Sequence, residues 1–271
     1  MGMVSRLLGY FPHATSGMAI PESQKYLGKS SGGNLEAIHR QYLGQTGWIR
    51  SRQSRRSLDG NGHFLPWLTY SSITFLETLK LIQMNVLEFG GGSSTFWFSE
   101  RAASVTTVED DPAYTKALRK LPFPFPVKVI DFSDIPLESE GQNFLSDIPR
   151  EFWEGDLTGV HLLGLEAFAS RLPEIARLVQ CADLILVDGG PRNIFLWMIR
   201  EYSKPDAIII VDNSDRPDVS KGLSLFEDTS YMKIPFSGLG PLNAYGWETS
   251  VLVSYQSLAD GTARQWLAAR P

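Results

Sequence analysis

The chain has 271 residues, 43% of them hydrophobic, which is enough apolar material for the core of one enzyme-sized α/β domain without a second. Its 25 Lys and Arg against 30 Asp and Glu leave a net charge of -5, the opposite of the basic surplus that broad nucleic-acid binding needs. No apolar run approaches the roughly 18 residues of a membrane span, the first residues are too broken for a signal peptide, and a lone Cys181 precludes a disulfide framework, so a cytoplasmic protein is expected.

Residues 1–64 lack the strand–helix alternation that starts near residue 65, and read as an N-terminal helical and loop cap on a domain spanning 65–271. Within the cap, Asn34 to Leu43 has a helical pattern. The run Ile49 to Ser57 carries four arginines in seven residues, by default a solvated basic loop. The rival reading is a clamp for a carboxylate or phosphate on an acceptor, which guanidinium groups bind bidentately. His63, just before the first helix of the domain, is the best placed histidine for a base, because imidazole titrates near neutrality. His13, His39 and His161 have no such context. Trp67 and Tyr70 are large aromatics that serve a core or a pocket wall.

A helix is expected from Ser71 to Lys80, then a strand from Val86 to Phe89 that runs into Gly90-Gly91-Gly92, with a second helix starting near Ser93 or Ser94. Glycines there permit positive φ and a close approach to the backbone, and the helix start offers free N–H groups to a polar ligand. Val105 to Val108 forms the second strand and closes on Glu109-Asp110-Asp111; an acid in this position accepts ribose hydroxyls in nucleotide-binding folds. Asp111 and Pro112 then cap a helix over Ala113 to Leu121, which Pro122, Pro124 and Pro126 stop.

The third strand, Val127 to Ile130, ends at Asp131-Phe132, where a side chain can meet an adenine ring. Ser133 to Asp156 reads as an acidic, solvated loop, and Leu163 to Gln180 as helical. Cys181 is expected in the core, ahead of the apolar strand Ala182 to Val187. That strand ends at Asp188, followed by Gly189-Gly190-Pro191-Arg192 and a helix from Asn193 to Tyr202. The fifth strand, Ala207 to Val211, ends at Asp212-Asn213-Ser214; two more are expected at Tyr231 to Pro235 and Thr249 to Tyr255. Asn243 to Glu248, between them, mixes aromatic and polar groups as an acceptor wall does, and as a tight connection between two strands also does.

Glu88, Glu109, Asp131, Asp188 and Asp212 therefore all fall near strand ends, where open parallel sheets bind ligands. Asp188, Asp212 and the Asn213 amide are hard oxygen ligands of the kind Mg²⁺ prefers, although Asp-Asn-Ser also makes a plain helix cap.

The run Glu88-Phe89-Gly90-Gly91-Gly92-Ser93-Ser94, with an acid at Glu109 closing the next strand, resembles the first two motifs of the class I S-adenosylmethionine-dependent methyltransferases. The resemblance implies a Rossmann-like, doubly wound, mostly parallel seven-stranded sheet with an antiparallel last strand. It implies S-adenosylmethionine as cofactor, held by Glu88, Gly90, Gly91, Gly92, Ser93, Ser94, Glu109, Asp110, Asp131, Phe132 and Asp188, with Trp67 and Tyr70 covering it. The Asp188 and Asp212-Asn213 pattern is similar to that of the cation-dependent, catechol-type O-methyltransferases, which implies Mg²⁺-assisted transfer to an oxygen of a small molecule. Asp188 and His63 are then the catalytic candidates. No lysine follows Asp188 to act as base, a departure from that pattern. The expected partners are a small-molecule acceptor and a second copy of the chain, with neither nucleic acid nor membrane. Two other readings stay open: a nicotinamide-dependent oxidoreductase, disfavoured by Thr95 where a dinucleotide turn prefers glycine or alanine, and a noncatalytic binding module on the same fold.

Overall fold

Seven strands form one sheet in the order β3-β2-β1-β4-β5-β7-β6 in the computed structural model, which describes residue 36 and residues 38–153, 165–227 and 230–262. They are β1 (Asn85–Phe89), β2 (Ser104–Glu109), β3 (Val127–Asp131), β4 (Leu184–Val187), β5 (Ile208–Asp212), β6 (Tyr231–Gly238) and β7 (Trp247–Ser254). The first five pair in parallel; β7 runs antiparallel to both β5 and β6 and is the one reversed strand. The sheet is thus the one expected, with the last strand antiparallel and set between β5 and β6. Pro235 sits in β6, the edge strand, where a missing N–H is tolerated.

Parallel neighbours require crossovers, and the helices supply them on both faces. Among the described residues these are α1 (Trp48–Ser54), α2 (Tyr70–Leu76), α3 (Ser93–Ser99), α4 (Pro112–Leu118), α5 (Gly141–Asp147), α6 (Arg150–Trp153), α7 (Leu165–Ala169), α8 (Leu172–Cys181), α9 (Arg192–Tyr202), α10 (Ser220–Ser224) and α11 (Tyr255–Ala259). Every residue of β4 and β5 is buried, as a strand covered on both faces must be. One core cluster gathers Phe89, Ile185 and Val187 with α8 and α9; the other gathers Val86, Leu184 and Ile210 with α2 and Trp97.

Several segments depart from the sequence reading. The arginine run is not a loop: it folds as α1, fastened by the Trp48 indole N–H to the Asn243 carbonyl at 2.7 Å. The acidic stretch after β3 contains α5 and α6, because Phe144, Ile148 and Phe152 pack on the body; Glu154 and Asp156 lie outside the described residues. The helix expected to Gln180 breaks in two around Ser170-Arg171. Cys181 is exposed, because it is the last residue of α8 and faces away from the sheet it precedes. A π-helical turn covers Ile38–Leu43; Asn34, Leu35 and Ala37 of the proposed N-terminal helix, and His13 and His161, lie outside the described residues. No helix among the described residues is long and apolar enough to cross a membrane.

Candidate active site

The site is built from the turn that follows β1. Gly90 has φ 93°, and a Cβ there would stand 2.8 Å from the Gly189 nitrogen, so the turns after β1 and β4 touch backbone to backbone. The turn's N–H groups are largely engaged within the protein: Gly90 donates to the Val108 carbonyl at 2.9 Å, Gly91 to Glu109 Oε2 at 3.1 Å and Gly92 to Thr95 Oγ1 at 2.9 Å. The Tyr114 hydroxyl donates to the Gly91 carbonyl at 2.9 Å. Helix α3 then starts at Ser93, as expected.

Glu88 lies wholly beneath this turn. Neither of its oxygens has a hydrogen-bond partner among the described residues, and burial pushes the carboxyl up to about 7, partly offset by the nearby Ser94 and Thr95 hydroxyls. It supports the turn from below and touches neither cavity described next.

Two adjoining cavities open at the carboxyl ends of the strands, where the chain leaves the neighbouring strands β1 and β4 in opposite directions along the sheet, to β2 and to β5. The first, about 50 Å³, lies against Gly90, Gly91, Gly92, Ser93 and Ser94, with Arg56, Ser57, Phe64, Trp67, Tyr114, Leu242 and Asp188 closing it. The second, about 840 Å³, runs from Asp110 and Asp111 past Asp188 and Arg192 to Asp212, Asn213, Asn243, Tyr245 and Trp247. Trp67 and Asp188 belong to both walls. Asn243, Tyr245, Gly246 and Trp247, from the connection between β6 and β7, line the second cavity.

Besides Glu88, five of the proposed cofactor or catalytic residues line neither cavity. Glu109 is fully buried and accepts the Gly91, Asp110 and Asp111 N–H groups, each at 3.1 Å, so its carboxylate is engaged inside the turn rather than offered to a ribose. Burial, with the Asp110 carboxylate beside it, pushes Glu109 up to about 8. Asp110 and Asp111, just beyond β2, both line the larger cavity; Asp111 is engaged in capping α4, accepting the Ala113 and Tyr114 N–H groups at 2.9 and 3.1 Å, which leaves Asp110 as the acid for a ligand. Asp131 accepts the Ser133 N–H at 2.8 Å and caps a short 3₁₀ turn. Phe132 stacks on Phe168 in the core, ring centroids 5.0 Å apart. Tyr70 packs in the core cluster under α2, where burial pushes its phenol up to about 12. His63 is 68% exposed and bonds Asp59 at 3.1 Å, lining neither cavity.

The proposed metal ligands meet a different cation. Arg192, its side chain 13% exposed, reaches across the ends of β4 and β5: one nitrogen donates to the Asp212 carbonyl and the other to the Asp188 carbonyl at 2.6 Å and to Asp188 Oδ1 at 3.3 Å. Asp212 Oδ1 is already bonded by the Trp247 indole at 2.8 Å and Thr249 Oγ1 at 2.6 Å; burial raises its pKa, with those bonds and Arg192 opposing. Among the described residues no three His, Cys, Asp or Glu side chains could hold a metal ion together. A permanent guanidinium bridging the two strand ends repels a second cation, so Asp188, Asp212 and Asn213 do not fit a Mg²⁺ ion.

Sequence reasoning passed over Arg56 as a wall residue, Phe64, Tyr114 and Leu242, which reach the site from elements distant in sequence. Arg192 carried a signal: it stands four residues after Asp188, the spacing of an ion pair at a helix start.

No protein-family model and no curated protein matches the chain. Among solved structures it is similar to the O-methyltransferase from Bacillus cereus in complex with SAH, with TM-score 0.42 and 14% identity over 82% of this chain and 97% of that one. It is also similar to the O-methyltransferase TomG from Streptomyces achromogenes in complex with SAM, with TM-score 0.40 and 15% identity over 70% and 83% of the two chains. A third likeness is the precorrin-6y C5,15-methyltransferase from Geobacter metallireducens, with TM-score 0.40 and 15% identity over 70% and 90%.

Proposed function

We propose that this chain binds S-adenosylmethionine over the turn after β1 and transfers its methyl group to an oxygen of a small molecule in the larger cavity. The observation that carries this reading is the junction of the two cavities at Trp67 and Asp188: one lies on the glycine turn, the other has room for a drug-sized acceptor. Asp110, just beyond β2, is placed for the ribose hydroxyls, so the cofactor extends from the glycine turn into the Asp110 end of the larger cavity and the acceptor takes its Asn243 to Trp247 end. In the transfer, a lone pair of the acceptor oxygen forms the new C–O bond while the sulfonium sulfur keeps the electrons of the breaking S–C bond and becomes a thioether. The protein's part is alignment and removal of the acceptor's proton.

Asp188 is the carboxylate common to both walls, and Arg192 orients it. We assign it the proton. Asp188→Asn should therefore lower the rate of S-adenosylhomocysteine production at least tenfold while leaving cofactor affinity within a few-fold; equal losses in both would make Asp188 a cofactor contact. Magnesium has no part in this scheme, because Arg192 holds the place between the strand ends. Chelation with EDTA should leave both cofactor binding and turnover unchanged, and restoration of lost turnover by added Mg²⁺ would overturn that point.

The test of the whole reading is calorimetric titration with S-adenosylmethionine and, separately, with NAD. Binding of the sulfonium compound alone supports it. Binding of NAD instead would replace it with the oxidoreductase reading, and cofactor binding without turnover across an acceptor screen would leave a binding module.

A further inference from the structure

Four arginines crowd the segment from Ile49 to Ser57, and the fold separates them. Arg52 donates to the Leu242 carbonyl at 2.8 Å and lies over the Trp48 ring. Arg56 alone reaches the wall of the smaller cavity, where it is the one cationic side chain among the lining residues. Its guanidinium has no hydrogen bond or ion pair among the described residues.

The backbone on both sides of Arg56 is fixed. Arg55, the residue that closes α1, adopts a left-handed conformation, φ 58°, which ends the helix just before Arg56. Ser57, next along, is buried; its hydroxyl donates to the Pro66 carbonyl at 3.3 Å and its carbonyl accepts the Leu65 N–H at 3.0 Å. Phe64 stacks on Phe96 of α3 at 4.4 Å, tying this strap to the helix that leaves the turn. The fixed backbone thereby sets an exposed arginine, unpartnered among the described residues, at the cavity wall, and its planar fork of donors suits a carboxylate.

We infer that Arg56 binds the carboxylate of the cofactor's amino-acid portion and makes the site selective for cofactors that carry one. The inference rests on the S-adenosylmethionine reading. Arg56 and the glycine turn line one cavity and Asp110 the adjoining one, so a ligand with its ribose at Asp110 and its chain along the turn presents its amino-acid end to Arg56.

Calorimetric titration of wild type and Arg56→Gln with S-adenosylhomocysteine and with 5′-methylthioadenosine, which shares the nucleoside and thioether but lacks the amino acid, tests it. The expected result is a roughly 10- to 100-fold weaker Kd for S-adenosylhomocysteine in the variant, with 5′-methylthioadenosine binding unchanged. Arg56→Lys should recover part of the loss, as a charge without the fork. An unchanged Kd for S-adenosylhomocysteine overturns the inference, and so does an equal loss for both ligands, which would make Arg56 a support of the strap. A wild-type protein that binds neither compound overturns the cofactor reading itself, a result separate from these.

Discussion

Glu88 is the residue in which position and chemistry conflict most. A carboxyl fully buried beneath a turn, with no hydrogen-bond partner among the described residues, is favoured in its neutral form, and burial raises its pKa from the ordinary 4.5 to about 7. Because the folded pKa lies above the unfolded one, the folded state binds the extra proton between the two values. Its contribution is therefore complete below about pH 4.5 and is lost as pH rises through 7, at about 1.4 kcal/mol per pH unit over that window. Glu88→Gln lacks this titration. Urea denaturation at pH 5 and pH 8 should show wild type losing about 2–3 kcal/mol more than the variant over that interval. Glu109 is raised as well but is present in both proteins, so it cancels in the comparison. Parallel stability profiles would mean that Glu88 is ionised and partnered in solution.

Among the elements, α1 shows how a segment that reads as solvated becomes structural. Its arginines are polar, yet Trp48 and Ser51 are buried, and Ser51 both donates to the Leu58 carbonyl at 2.8 Å and accepts the Leu58 N–H at 2.9 Å. The helix docks on the β6–β7 connection through Trp48 to Asn243 and Arg52 to Leu242, contacts about 190 residues apart in sequence. A charge run shows a solvated face but not which apolar residues between the charges find a partner. Trp48→Phe keeps most of the apolar volume and removes the indole N–H, which should cost about 1 kcal/mol. Faster amide hydrogen exchange in residues 48–58, with β1 and β4 unchanged, is the expected reading; uniform change across the sheet would mean that the cap does not open by itself.

The molecule as a whole places its chemistry at the strand ends because of strand order. Beyond β1 the chain crosses to β2 on one side and, much later, returns as β4 on the other, so the turns at Gly90 and Gly189 meet and the cavities open beside them. A ligand bound there contacts β1, β2, β4 and the cap together and favours the folded state by mass action. S-adenosylhomocysteine at about 100 times its Kd should add about 2.7 kcal/mol of stability, a melting shift of a few degrees for a chain of this size. Differential scanning fluorimetry reads it directly, and an unchanged melting temperature at that concentration would count against binding to the folded protein.

The sequence by itself determined the alternation of strands and helices, the helix start at Ser93, the burial of β4 and β5 and the glycine turn. These follow from periodicity and local conformation, which act over a few residues. It also marked which strands end in acids. Only the tertiary structure decided which acids meet a ligand: Glu109 turns inward to three backbone N–H groups while Asp110 turns out, and Asp131 closes on Ser133. Only the tertiary structure set Arg192 between the ends of β4 and β5, where three oxygen ligands had read as a metal site, and Arg56 over the turn. The physical reason is the same in each case. The direction of a side chain at a strand end depends on register, twist and the neighbours that compete for its hydrogen bonds, and those neighbours come from parts of the chain that only folding brings together.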